Sequence, residues 1–142
     1  MIRSEKALEQ THYPVTSSAD EWADEILHLD QLIVEGFNER WLRKKAVALG
    51  RAPAATLRSL KLVEECLVAL GHEEDHARAI TAPLHEVHYL RSKVKGHVSG
   101  EEATEIRKQA LAIHATYREH HEAICTRLDE SMRTIKDAFK AF

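Results

Sequence analysis

Apolar residues recur at three- and four-residue steps through most of this chain, and no stretch alternates apolar with polar over the length of a strand. Such spacing puts the apolar side chains on one face of a helix, so the chain must fold by packing helices face to face. Trp22, Ile26, Leu29, Ile33, Phe37 and Trp41 make a first stripe, and Leu57, Leu60, Val63, Leu67 and Leu70 a second. Leu84, Val87, Leu90 and Val94 make a third. A fourth runs through Ala103, Ile106, Ala110, Ile113, Tyr117, Ile124, Leu128, Ile135 and Phe139.

End signals divide the stripes. Ser18 with Glu21 spells a capping box before the first, and Gly50 suits its end. Pro53 suits the first turn of the second, which Gly71 stops. Pro83 interrupts the third, because its ring removes an amide and clashes with the preceding turn; a break or kink is expected there, with Thr81 available to cap the second piece. Ser99 with Glu102 opens the fourth, which meets no helix breaker and should run long, to the C-terminus. The expectation is an all-α, up-and-down bundle of four main helices, residues 18–142 forming a single domain. Residues 1–17 end in "YPVTSS" and read as a tail or loop, or as a remnant joining the domain to something longer. An unbroken fourth helix would outrun its partners at about 1.5 Å per residue, and covering its last turns with a second copy predicts a homodimer.

Composition limits the chemistry. The formal charge of −3 over 142 residues does not suit a non-specific nucleic-acid binder, so any phosphate-binding role needs a local basic patch. Cys66 and Cys125 lie in apolar helical surroundings and read as core residues; two thiols make no disulfide framework, which points to the cytoplasm. The N-terminal stretch has no apolar signal region and no segment approaches a membrane span, so no membrane partner is expected. There is no Gly-rich phosphate loop and no nucleophile elbow.

Two places concentrate histidines. His72 and His76, in "HEEDH", match a zinc-helix spelling, but the acids between them follow a helix-ending glycine and suit a solvated first turn. His85 and His88, in "LHEVH", add two imidazoles one turn apart. A metal site in a bundle core draws ligands from several helices, and the first two helices here supply only His28 as an imidazole. Metal binding through His72, His76, His85 and His88 therefore stands as an alternative, and no cofactor is expected.

The turn "RSKVKGH" holds Arg91, Lys93, Lys95 and His97 with no acid among them, directly before the cap at Ser99. An arginine in the last turn of one helix and a histidine ahead of the next bring a guanidinium, an imidazole and free first-turn amides to one end of the bundle. A histidine there can take the proton of a ribose 2′-hydroxyl while the arginine stabilises charge on the attacked phosphate. Arg78 with His85 and Arg107 with His114 have similar spacings, but only Arg91 falls at a helix boundary. The alternative reading is a basic helix end meeting its own dipole.

In these residues the chain resembles the HEPN superfamily of small helical domains, whose signature is R-x(4-6)-H. As architecture the resemblance covers roughly residues 20–142; the diagnostic motif is this turn alone. It implies a dimer pairing two such turns in one cleft, and a metal-independent endoribonuclease of a toxin-antitoxin or other defence system, with Arg91 and His97 as the catalytic pair. The superfamily also includes members that only bind or dimerise, so a partner-binding module is the alternative. A cognate inhibitor or a larger defence protein would then be the partner. Lys93 and Lys95 are added from their position as RNA phosphate contacts. Ser92 stands where active members commonly carry Asn, Asp or His after the arginine.

Overall fold

A computed structural model describes residues 18–94 and 100–142, and the described residues contain six α-helices, one π-helical turn and no strand. The helices are α1 (Ala19–Leu29), α2 (Glu39–Ala48), α3 (Ser59–Ala69), α4 (Glu74–Val94), α5 (Gly100–Ile113) and α6 (Tyr117–Phe139), with the π-helical turn at Asp30–Val34. One apolar core takes side chains from all six. The central element is α4, which packs against α1, the π turn, α3, α5 and α6. Among the described residues, no helix is long and apolar enough to cross a membrane.

Several local signals act as expected. Ser18 Oγ accepts from the Glu21 amide at the start of α1. Gly50 and Gly71 have φ of 91° and 106°, a region that glycine enters without steric cost. Behind them, Arg51 N donates to Ala46 O and Gly50 N to Val47 O, and His72 N donates to Leu67 O and Gly71 N to Val68 O. These are two Schellman closures, each satisfying the last carbonyls of a helix.

The first stripe is divided where one long helix was expected. After Leu29 the backbone widens into the π turn, Glu35 N donating to Asp30 O, and the chain then turns at residues 35–38. Asn38 Oδ1 accepts from the Trp41 amide and starts α2. The extra residue of the π turn shifts the buried row, so Val34 rather than Ile33 is buried. Trp41, expected in the core stripe, is 38% exposed and packs on Phe139 and Phe142 near the C-terminus.

The second helix starts at Ser59, six residues beyond Pro53. Arg43 explains the delay: its guanidinium donates to the carbonyls of Pro53, Ala54, Ala55 and Leu57, holding the segment as a loop. α4 continues through Pro83, and Thr81 caps nothing; its hydroxyl donates back to the carbonyls of Ala77 and Arg78. The fourth stripe is two helices. Thr116 Oγ1 accepts from the Glu119 amide while Glu119 Oε2 accepts from Ala115 N, a reciprocal cap that starts α6 afresh. Ile113, expected in the core, is consequently 77% exposed, and the argument for a dimer from one overlong helix loses its premise.

Thr116→Ala removes the acceptor at this junction and should lower unfolding stability by about 1 kcal/mol. Urea denaturation followed by circular dichroism measures it. A midpoint identical to the wild type would mean that packing of Tyr117, not the cap, sets the break.

Candidate functional site

Along the C-terminal half of α4, Leu84, Val87 and Leu90 form the buried row, and His85, His88 and Arg91 follow each by one residue. A side chain one position on lies about 100° round the helix, which puts this second row at the rim of the core. Each member of the row meets a buried carboxylate. His85 Nε2 lies 3.4 Å from Glu64 Oε2 on α3, His88 Nδ1 lies 3.0 Å from Asp30 Oδ1 on the π turn, and Arg91 Nε lies 3.8 Å from Asp30 Oδ2.

Asp30 has no exposed surface, whereas His88 and Arg91 are 53% and 34% exposed. Burial raises the Asp30 pKa above the ordinary carboxylate value; the hydrogen bond and charge of His88 and the charge of Arg91 oppose it without overcoming it. Glu64 goes the other way. Burial would raise it, but the His85 hydrogen bond and Lys61, 3.4 Å away, outweigh burial and hold it below its ordinary value.

Arg91 therefore lies in the last turn of α4, and α5 begins at Gly100. Lys93 Nζ reaches Glu102 Oε1 at 2.7 Å and lies 5.5 Å from the centre of the Tyr89 ring, tying the end of α4 to the first turn of α5. The Glu102 hydrogen bond raises its pKa. His97, Lys95 and the cap at Ser99 lie outside the described residues. Of the other histidines, His72 and His76 come together at 3.2 Å between Nδ1 atoms, while His85 and His88 each face a carboxylate on another element. Among the described residues no group of three or more His, Cys, Asp or Glu side chains is placed to hold a metal.

Two further groups have chemistry muted by burial. Cys66 and Cys125 have thiol pKa values pushed up to about 11 by burial, which leaves no thiolate nucleophile at neutral pH. Trp22 Nε1 donates to His120 Nδ1 at 3.2 Å, fixing His120 as a neutral ring; burial, then the neighbouring His114, lowers its pKa to about 4.

Asp30 and Glu64 were not singled out in the sequence. Each falls on a core stripe, four residues after Ile26 and Leu60 respectively, and a carboxylate at such a position is the signal that would have found it.

Comparison with family models, with curated proteins and with solved structures finds no match for this chain.

The His120 shift makes a pH prediction. With a folded pKa of about 4 against about 6.5 unfolded, the unfolded chain binds the proton first, so this stabilisation is complete above pH 6.5 and is lost as pH falls towards 4. His120→Gln keeps an acceptor for Trp22 but does not titrate. Urea melts at pH 7.5 and 5.0 should show wild type losing about 2 kcal/mol more than the variant between the two conditions. Equal losses would show that His120 is not the group responsible.

Proposed function

We propose that this chain is a HEPN-like RNA-binding domain that acts on RNA without a metal, through Arg91 and His97, as a homodimer bringing two such turns together. The observation that supports it most directly is the placement of Arg91: it closes α4, carries an ion pair to a buried carboxylate, and is followed after a short connection by α5, which packs on α4. Arg91, the first residue of the R-x(4-6)-H stretch, thus lies in the last turn of a helix that packs on the next one. Asp30 sets a carboxylate behind the guanidinium, 3.8 Å from its Nε, and leaves the guanidinium partly in solvent where a phosphate can meet it.

In this reading His97 removes the proton of a ribose 2′-hydroxyl, the 2′-oxygen attacks phosphorus, and the P–O5′ bond breaks. The products are a 2′,3′-cyclic phosphate and a 5′-hydroxyl, the leaving oxygen taking up a proton from the imidazolium. Arg91 stabilises the charge on the phosphate oxygens. A defence or toxin role in the cytoplasm, with a cognate inhibitor or larger defence protein as partner, belongs to the same proposal.

A second reading, a partner-binding module without catalysis, draws on a specific observation: Arg91 and Lys93 are both engaged within the chain, by Asp30 and Glu102. Cleavage of a mixed RNA pool in EDTA by wild type and His97→Ala, with light scattering on both, separates the two. Metal-independent cleavage that falls by about 100-fold or more in a still-dimeric variant is the expected result. Absent or equal cleavage by both proteins would move the assignment to the interaction module.

A further inference from the structure

A cleft of about 970 Å³ opens where α2 and α3 begin, closed on a third side by His85 and His88 of α4. Its polar wall carries Arg40, Arg58, Ser59 and Lys61. Arg40 is exposed and makes no ion pair among the described residues. Arg58 stands at the N-cap of α3, where its side chain supplies no capping acceptor, so the positive end of that helix faces the cleft without the usual side-chain oxygen. Ser59, next in the chain, is only 8% exposed and lines the cleft, and its hydroxyl has no hydrogen-bond partner among the described residues. A hydroxyl that no side chain or carbonyl engages, open to the cleft at an uncapped helix start and among cationic side chains, is free to donate to an acceptor from outside the chain.

The opposing acids are weaker than their number suggests. Glu39 pairs with Arg58 at 3.0 Å, but with 42% and 85% of their side chains exposed the pair is a solvated one that an incoming anion can replace. Glu35 also lines the cleft; Glu64 and Asp30 do not, although Glu64 pairs with Lys61 at 3.4 Å as well as with His85. The floor is apolar, formed by Val34, Phe37 and Leu60, which suits the organic part of an ester better than a free ion. Arg43, stapled to four loop carbonyls, holds the segment that delivers Arg58 and Ser59.

We propose that this cleft binds the phosphate group of an organic phosphate ester, with Ser59 and the first amides of α3 donating to its oxygens, Arg40, Arg58 and Lys61 balancing its charge, and its organic part lying on Val34, Phe37 and Leu60. Arg91 does not line the cleft, and binding there does not require the Arg91 to His97 turn to be catalytic. Its ligand is a monoester of a small molecule or a diester of a nucleic-acid strand.

The test is calorimetric titration of the full chain, at low ionic strength, with ribose 5-phosphate, ribose and an eight-nucleotide oligouridylate. Wild type, Arg40→Glu, Ser59→Ala and His97→Ala are compared, with melting temperatures recorded to exclude unfolding. Binding of ribose 5-phosphate without binding of ribose identifies a monoester site; binding of the oligonucleotide alone identifies a diester site. In either case Arg40→Glu and Ser59→Ala should each weaken binding by about tenfold while His97→Ala leaves it unchanged. The proposal is overturned if neither phosphate ligand binds at about 1 mM, if ribose binds as well as its phosphate, or if Arg40→Glu binds as tightly as wild type. Because His97→Ala is predicted silent here and inactive in RNA cleavage, failure of this site and failure of the nuclease reading give different results.

Discussion

A carboxylate with no access to water must be protonated, hydrogen-bonded or paired, and Asp30 is in that position at the centre of this structure. It lies there because the π turn widens α1 at Asp30, against α4. Its partners, His88 and Arg91, come from the rim of α4 and remain partly in solvent, so one buried group orients two groups that can still meet a ligand. α4 must therefore keep two registers at once: Leu84, Val87 and Leu90 towards the core, and His85, His88 and Arg91 towards buried carboxylates beside it. Any rotation of α4 that improved one row would displace the other.

The parts of this arrangement that depend on local chemistry were legible in the sequence. The apolar stripes identify an all-helical chain, and Gly50 and Gly71 sit at true helix ends because both Schellman closures need a positive φ that other residues take up only with strain. Ser18 announces α1 for a similar local reason. The break before α6 was equally local but was passed over: Thr116 with Glu119 has the capping-box spelling already used at Ser18, hidden inside an unbroken apolar period.

What could not be read needed a contact from far along the chain. The loop before α3 owes its shape to Arg43, ten or more residues away, and nothing near Pro53 reports that. The π turn was masked because Leu32, Ile33 and Val34 are consecutive apolar residues, so either helical register buries one of them. Only the resulting burial of Val34 distinguishes the two. In the candidate site, Arg91 could be placed at a helix end from the pattern alone, but its carboxylate partner lies 61 positions earlier on another element. That pairing is a property of the packed helices.

The two basic residues closing α4 are not equivalent, although both are ion-paired. Lys93 and Glu102 keep 26% and 46% of their side chains in solvent, and a solvated pair of that kind contributes little to stability. Either partner can exchange it for water or for an anion at little cost. Asp30 has no water to turn to, so losing Arg91 or His88 takes away one of the two partners that offset its burial. Arg91 accordingly answers an acid on the dry side of the helix, while Lys93 answers one on the wet side. A negatively charged chain can present a local anion site on these terms: its acids are buried behind the cations they orient, and the pairs that face solvent are the ones that yield.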